Sequence, residues 1–256
     1  MLYVIYIVAG LGAGIVTGLA GLSAAVIITP MLVSLCGWQS YDAVNVALAS
    51  DVLASLLSAY TYYKNKNIDL KRGLCVTVTA FLGTIVGSYC GYLFSQSNPD
   101  GLGYLSMATT ILLGVKFLWK PVTGGMDAAG NRTIDNKTRK AMIFGAIIGW
   151  VCGFTGSGGG VLMLMVFTIV LEYNLKIAVG TSTMIMSLVA LTGSVSHVMM
   201  GAKIYPLPMI CIIAACLLGA LVSARFANKC EIRKLNRIVG CVLLVLGVAT
   251  LIIKLV

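Results

Sequence analysis

The chain has 256 residues, of which 59% are hydrophobic and only 10% are charged. A soluble domain has about 25% charged residues, so the composition excludes a soluble enzyme or binding domain and predicts a protein that crosses the membrane several times. The formal net charge of +10 is by itself compatible with nucleic acid or an anionic substrate, but its distribution along the chain favours a signal for membrane topology.

Eight apolar segments are predicted to form membrane helices. They are 2–36, 43–63, 74–95, 101–119, 141–171, 177–200, 206–227 and 238–255. About 20 helical residues cross the roughly 30 Å of hydrocarbon in a bilayer, so six of the segments have the length of one span. The first and the fifth are too long for one helix and too short for two full ones. We therefore expect each of them to contain two shortened helices.

Both long segments are interrupted by closely spaced glycines. The first contains Gly18-Leu19-Ala20-Gly21-Leu22-Ser23, and the fifth contains Gly153-Phe154-Thr155-Gly156-Ser157-Gly158-Gly159-Gly160. Glycine costs about 1 kcal/mol relative to alanine inside a helix, so the helices are predicted to break there. A broken helix at membrane depth is tolerated where it is buried in protein or lines a cavity. We interpret the breaks as two halves of a substrate site; the alternative is a small-residue surface for tight helix packing.

The two glycine clusters belong to an internal repeat, in which positions of the first half match positions of the second at a nearly constant spacing along the chain. The matches are Gly18 with Gly153, Gly21 with Gly156, Ala43-Val44 with Ala178-Val179, and Gly83 with Gly219. Residues related by this spacing are here called counterparts. The predicted organisation is a first membrane repeat, 1–119, a linker, 120–140, and a second membrane repeat, 141–256. Because the linker is polar and rich in glycine, it is predicted to be an exposed loop.

The basic residues predict the topology. Most of them lie in three groups, at 64–72, 116–140 and 225–237, and the others are Lys176, Lys203 and Lys254. If the first and fifth segments each return to the side from which they enter, 16 of the 18 basic residues share one side, as the positive-inside rule requires. Both termini are then outside and the linker is cytoplasmic.

This topology makes the two halves inverted repeats, an architecture of secondary transporters. The predicted fold class is an all-α polytopic membrane protein with two inverted repeats, each a broken-helix hairpin plus three transmembrane helices.

The predicted substrate site is built from helix ends. A helix that restarts after a break presents free N–H groups and a partial positive charge, and two such ends can hold an anion without a buried lysine or arginine. Nearby hydroxyls are further candidate donors, although in membrane helices they often bond their own backbone. The candidate substrate-binding residues are Gly18, Gly21, Ser23, Ala24, Asn45, Gly153, Gly156, Ser157, Gly158, Gly159, Gly160, Thr181, Ser182 and Thr183.

Two of the ionisable residues within the predicted spans, Asp51 and His197, are weighed as functional candidates. Asp51 lies eight residues into the segment 43–63, where a carboxylate is by default a functional hypothesis. It is the candidate for coupling transport to a proton or cation, and the alternative is a structural hydrogen bond. His197 is expected near the outer surface as an interfacial residue. One histidine and eight cysteines without C-x-x-C spacing predict no metal site, and no cofactor is expected.

The glycine clusters, together with Ala178-Val179-Gly180-Thr181-Ser182-Thr183, resemble motifs of the TauE/SafE family of sulfite and organosulfonate exporters. The resemblance covers nearly the whole chain. It implies an inner-membrane or plasma-membrane permease for small sulfur-containing anions such as sulfite, thiosulfate or organosulfonates. The first half departs from the family pattern, because Ser23-Ala24-Ala25 stand where the family tends to carry glycines.

We therefore expect a secondary transporter working by alternating access, and not an enzyme. Its expected partners are a small anion, the lipid bilayer and a coupling proton or cation, without nucleic acid; a homo-oligomer is left open. One alternative is a channel or carrier for a different small solute or metal ion, for which only Asp51 offers a carboxylate. The other is a membrane enzyme or assembly factor, which would need clustered His, Asp or Glu.

Overall fold

The computed structural model describes residues 2–119, 136–156, 159–229 and 232–255. Ten α-helices lie within these ranges. They are α1 (Leu2–Ala20), α2 (Ala25–Cys36), α3 (Ser40–Lys64), α4 (Leu70–Ser97), α5 (Gly101–Trp119), α6 (Asn136–Thr155), α7 (Gly159–Ile169), α8 (Leu175–Met199), α9 (Pro206–Lys229) and α10 (Ile232–Leu255). In the part of the chain that is described, five helices are long and apolar enough to cross a membrane: α1, α3, α4 and most of α8 and α9. The predicted all-α polytopic class is confirmed.

The two long apolar segments are each divided into two helices, as predicted, but their lengths differ from the prediction. α2 and α7 have 12 and 11 residues and cover about half of the hydrocarbon thickness. The expectation that all four helices are shortened is wrong for α1 and α6, which have 19 and 20 residues and the length of a full span. α6 begins at Asn136, so the end of the predicted linker is helical and not loop, whereas 120–135 lies outside the described residues.

Both breaks begin at a glycine in the left-handed conformation. Gly21 and Gly156 each have a φ of +66°, which glycine adopts without steric cost. Their N–H groups donate to the carbonyls of Thr17 and Cys152, over 2.8 and 2.7 Å, and so close the last turns of α1 and α6. The glycine clusters therefore break the helices where the sequence predicted.

Small residues let α1 lie directly against α9, and α6 directly against α4. A methyl group added at Gly14 would overlap the backbone of Cys216 and Ala220, and one added at Gly149 would overlap the backbone of Ala80. Close backbone approach between membrane helices replaces the hydrophobic driving force that is missing in lipid. The tight-packing interpretation thus holds for the turns of α1 and α6 that precede each break.

The same packing recurs in the two halves. Gly14 and Gly149 are counterparts in the repeat, and so are their respective partners, Cys216 and Ala80. Among whole helices, α1 packs on α9 and α4 on α6, while α3 packs on α8 and α5 on α10. Each pairing therefore joins one helix of the first half to one of the second, and the halves are interleaved.

Aromatic side chains bring several helix ends together at one end of the bundle, here called end A. Trp38, which follows α2, contacts Tyr6 near the start of α1, with ring centroids 6.1 Å apart. It also contacts Tyr205, which precedes α9, with centroids 4.4 Å apart. The hairpin of α1 and α2 therefore returns to the end from which it enters.

The second hairpin enters from the opposite end, here called end B. Lys137 at the start of α6 forms an ion pair with Glu172, which follows α7, over 2.9 Å. The adjacent Tyr173 donates a hydrogen bond to Asp69, which precedes α4. α3 runs from Trp38 at end A to the loop that contains Asp69 at end B. The hairpins thus enter the bundle from opposite ends.

Candidate functional site

The two breaks touch each other inside the bundle. A methyl group added at Gly160, in the first turn of α7, would overlap the backbone of Gly21 and approach the Ser23 nitrogen to 2.9 Å. The Ser23 hydroxyl donates a hydrogen bond to the Gly156 carbonyl over 3.4 Å. The structure thus brings together the two clusters that the sequence analysis singled out, and Ser23 and Ala24 are buried there.

Each break packs against a long helix of the other half. A methyl group added at Gly21 would lie 2.9 Å from the Ser182 hydroxyl and 3.3 Å from Val179 in α8. One added at Gly156 would overlap Val44 in α3. Val44 and Val179 are counterparts in the repeat, as are the two glycines. The breaks therefore have matching neighbours, with α3 and α8 forming the walls of the candidate site.

Of the three hydroxyls predicted on α8, two share one arrangement and Thr181 has another. Ser182 and Thr183 lie beside Gly21, but each donates to a carbonyl three residues earlier in α8, over 2.9 Å. Their hydroxyl hydrogens are therefore bonded to carbonyl groups of their own helix, which is the common alternative to ligand binding for hydroxyls in membrane helices. The Thr181 hydroxyl accepts a hydrogen bond from the Asp69 N–H, over 3.0 Å, and is directed toward the loop at end B.

The remaining predicted site residues fall into four groups. Gly18 and Gly153 lie one turn before the breaks, and a methyl group on either would overlap the neighbouring helix, α9 or α4. Asn45 is buried in α3, and its Oδ1 accepts from the Ser194 hydroxyl over 3.0 Å. Gly159 begins α7. Ser157 and Gly158 lie outside the described residues.

Asp51 faces the start of α2. Its side chain is fully buried, and its Oδ1 accepts from the Ser55 hydroxyl over 2.8 Å. The carboxyl group lies beside the Ser23 hydroxyl and the Ala24 N–H. Its Oδ2 has no hydrogen-bond partner within the described ranges. The positive end of a helix dipole favours an acidic group at this position. The first break therefore holds a side-chain carboxyl where the sequence analysis expected an external anion.

The second break differs at the corresponding position. Met186 is the counterpart of Asp51 in the repeat, and a methyl group added at Gly159 would be 3.3 Å from the Met186 methyl group. The same added group would be 3.0 Å from the Cys152 sulfur. The two side chains nearest to Gly159 are therefore uncharged, and the two helix starts are not equivalent.

His197 is buried, so its predicted surface position is wrong. Its ring stacks on Tyr41 with centroids 4.4 Å apart, and its Nε2 lies 3.1 Å from the Gly153 carbonyl oxygen. Because a carbonyl only accepts, Nε2 carries the hydrogen and Nδ1 of the neutral ring is an acceptor. The repeat held a signal for this contact: Tyr62, the counterpart of His197, donates to the Gly18 carbonyl over 3.2 Å.

Polar contacts that the sequence analysis missed close both ends of the bundle. At end A, Asp42 accepts from the Lys203 N–H over 2.9 Å. At end B, Tyr173 donates to Asp69, and Arg72 donates to the Tyr173 oxygen over 3.4 Å. Burial and the hydrogen bond to Asp69 raise the pKa of Tyr173. These contacts depend on loops meeting across the two halves, for which the local sequence carries no signal.

Within the described ranges, no group of three or more His, Cys, Asp or Glu side chains is placed to hold a metal ion. The arrangement is instead one of buried helix ends, backbone N–H groups and a single central carboxyl group. Apolar helices of membrane length around such a core define a multi-pass membrane protein with a buried polar site between its halves.

A comparison with known protein families assigns this multi-pass membrane protein to a family. The model described as "Sulfite exporter TauE/SafE" matches residues 6–250, and the chain belongs to that family. The resemblance drawn from the glycine clusters is thereby confirmed.

Curated relatives are named as membrane transporters. The chain is 28% identical to the probable membrane transporter protein YunE of Bacillus subtilis, with 96% of each chain covered. It is 26% identical to YdhB of the same species, over 84% of this chain and 86% of the relative. It is 21% identical to MJ0441 of Methanocaldococcus jannaschii, over 77% and 73%. No solved structure matches the chain. The protein is a membrane transporter of the TauE/SafE type.

Proposed function

We propose that this chain is a secondary transporter for small sulfur-containing anions, such as sulfite, thiosulfate or organosulfonates, in the inner or plasma membrane. The family description names sulfite, whereas the relatives' names give no substrate. The observation that carries the proposal is the buried start of α7, where Gly160 lies against the first break.

The start of α7 is the proposed anion site. A helix N-terminus offers unpaired N–H groups and a partial positive charge to an anion. Gly159 and Gly160 carry no Cβ, so the backbone at the start of α7 can be approached closely, as it is here by the first break. At the first break, the negative charge beside the helix start is supplied by the carboxyl group of Asp51. We therefore assign the anion to the second break. Binding through backbone groups, without a fixed positive charge, suits a site that must also release its ligand.

We infer that the two halves are inverted repeats. The hairpin of α1 and α2 enters from end A, and that of α6 and α7 enters from end B. Basic residues gather at end B, where described helix ends carry Lys64, Lys71, Arg72, Lys137, Arg139, Lys140, Lys176, Arg225, Lys234 and Arg237. The positive-inside rule then assigns end B, with the linker, to the cytoplasm.

Alternating access is supported by a matched pair of closing contacts. Trp38 meets Tyr205 at end A, and Tyr173 meets Asp69 at end B. In the repeat, Tyr173 is the counterpart of Trp38, and Tyr205 is the counterpart of Asp69. Both contacts are made in this structure. We propose that each opens in turn, so that the breaks communicate with one side of the membrane at a time.

Asp51 is the proposed coupling residue. As a carboxylate it stabilises the start of α2, because its charge is complementary to the helix dipole. Uptake of a proton or cation removes or offsets that charge. The attraction between Asp51 in α3 and the start of α2 at the first break then becomes weaker. The Ser23–Gly156 hydrogen bond connects this break to the proposed anion site, so loading of Asp51 and of the anion are linked.

Flux measurements in proteoliposomes test the proposal. Purified protein is assayed for uptake of sulfite, thiosulfate, sulfoacetate and taurine, with and without a pH gradient. Gly160→Ala places a methyl group against the first break, and Gly12→Ala is the matched control, because its methyl group would meet only ordinary contacts of 3.7 Å or more. Saturable uptake of a sulfur anion, lost in Gly160→Ala and kept in the control, supports the proposal. Folded wild-type protein that takes up none of these anions overturns it in favour of another solute or a metal ion.

A further inference from the structure

Four buried polar residues lie near the end of α6, where His197 Nε2 meets the Gly153 carbonyl, on the side of the second break that faces end A. They are Tyr41, Asn45, Ser88 and His197, here called the His197 cluster. His197 stacks on Tyr41 and bonds Gly153. Asn45 lies one turn after Tyr41 in α3, and the Ser88 nitrogen would be 2.8 Å from a methyl group added at Gly153. The cluster therefore joins residues of α3, α4 and α8 around the end of α6.

Each member of the His197 cluster has a polar atom that no described residue satisfies. These atoms are the Tyr41 hydroxyl, Asn45 Nδ2, the Ser88 hydroxyl and His197 Nδ1. Exposure is 8% for Tyr41 and 0% for the other three. Buried polar groups are normally hydrogen-bonded, and a group left unpaired lowers stability. Four such atoms, on residues that pack near the end of α6, indicate that something else binds there.

The fold itself does not require polar groups with unpaired atoms at three of the four cluster positions. At the repeat-related place around Gly18, the counterparts are Gly180 for Asn45, Ala224 for Ser88, Tyr62 for His197 and Lys176 for Tyr41. Tyr62 bonds the Gly18 carbonyl through its hydroxyl, as His197 bonds the Gly153 carbonyl through Nε2. At three of the four positions the equivalent packing is thus achieved with small residues and a paired tyrosine.

We propose that the His197 cluster is a second binding site for the transported oxyanion, between the second break and end A. This inference rests on the proposed function. The Asn45 amide and the hydroxyls of Tyr41 and Ser88 donate to the anion's oxygens. His197 Nδ1 accepts a hydrogen bond from the water that accompanies the anion or from the anion's own O–H. The anion then passes between two sites that share the last turn of α6.

The test replaces cluster residues, two of them by their counterparts in the repeat. Ser88→Ala introduces the counterpart residue, and Asn45→Ala removes the free amide. His197→Tyr can keep the bond to Gly153, as Tyr62 does to Gly18, while it removes Nδ1. Ser58→Ala is the matched control, because Ser58 also has a buried hydroxyl without a described partner but lies outside the cluster. The apparent KM for the transported anion, added from outside, is measured with the thermal unfolding midpoint of each variant.

We expect each cluster variant to raise KM about tenfold, because one hydrogen bond to a charged ligand is lost. The unfolding midpoint of Ser88→Ala stays unchanged or rises, because an unpaired buried group has been removed, whereas that of Asn45→Ala falls, because the bond from Ser194 is lost. The control leaves KM unchanged. If the variants unfold at lower temperature with an unaltered KM, the cluster stabilises the fold and does not bind the anion. The proposal of a second site is then refuted, while the proposed function stands. If wild-type protein takes up no sulfur anion, the proposed function fails and the second site fails with it.

Discussion

The hydroxyl of Ser23 donates a hydrogen bond to the carbonyl oxygen of Gly156 over 3.4 Å. It joins the break of the first half to the break of the second. Gly156 is also the left-handed residue on which α6 ends, so any change in its conformation alters the acceptor of this bond. The geometry of each break is therefore tied to that of the other.

The first prediction concerns this glycine. Gly156→Ala should destabilise the protein for two reasons: the left-handed conformation costs an L-residue about 1–2 kcal/mol, and the methyl group overlaps Val44. Gly37→Ala is a matched control, because Gly37 has a φ of +65° but no neighbour within 4 Å of an added methyl group. Overpacking adds about 1–3 kcal/mol, so unfolding in detergent should show the larger loss for Gly156→Ala. Equal losses would contradict the packing of this break against α3.

The second prediction concerns Asp51. Asp51→Asn keeps the shape of the side chain and its bond to Ser55 but removes the charge beside α2. Uptake should lose its dependence on the pH gradient, while exchange of anion against anion continues. Asp42→Asn changes another buried carboxyl, one that is bonded to the Lys203 N–H, and should retain the pH-gradient dependence. Normal gradient-driven uptake by Asp51→Asn would remove the coupling role.

The third prediction concerns Tyr173 at end B. Tyr173→Phe removes the hydrogen bond to Asp69, and a bond to a charged group contributes about 1.5–3 kcal/mol. Because the pKa of Tyr173 is raised from its ordinary value of 10.0, the linked stability is fully present below that value and is lost as the pH rises through the higher folded value. The stability difference between wild type and variant should be constant from pH 6 to 8 and shrink at strongly alkaline pH, as followed by thermal unfolding. A difference independent of pH throughout would refute this linkage.

The fourth prediction concerns orientation. Lys203→Cys at end A should react with a membrane-impermeant thiol reagent added to intact cells, whereas Lys64→Cys at end B should react only after the membrane is opened. Both lysines are exposed, and wild-type protein reports the background from native cysteines. Labelling in the reverse order would invert the assignment of the two ends, and labelling of both from outside would contradict the proposed inverted arrangement.

The sequence was sufficient for features with local causes. Apolar runs of about 20 residues predict spans, and glycine clusters predict breaks, so the helix order and both interruptions followed from the chain alone. Features that depend on packing did not. Gly18 and Gly21 are the same residue type, but one packs against α9 and the other forms the break.

The chemistry of the candidate site also depends on packing and could be predicted only in part. The sequence identified Asp51 as unusual, but only the position of α3 shows that it faces the start of α2. His197 was expected at the surface because it is near a helix end, yet its ring lies between Tyr41 and Gly153. Its counterpart Tyr62 is visible in the repeat, but the shared role becomes clear only when both carbonyl contacts are seen.

The pairing of α1 with α9, and of α6 with α4, has a consequence for biosynthesis. The glycine-lined surface of α1 is made early in translation, but its partner α9 begins at Pro206. At about 5–20 residues per second, the ribosome needs roughly 10–40 s to reach that helix. During this interval α1 presents a small-residue surface suited to pairing with unrelated membrane helices. A chain truncated after α5 should therefore be recognised and degraded by membrane quality control, although all five of its helices are intact.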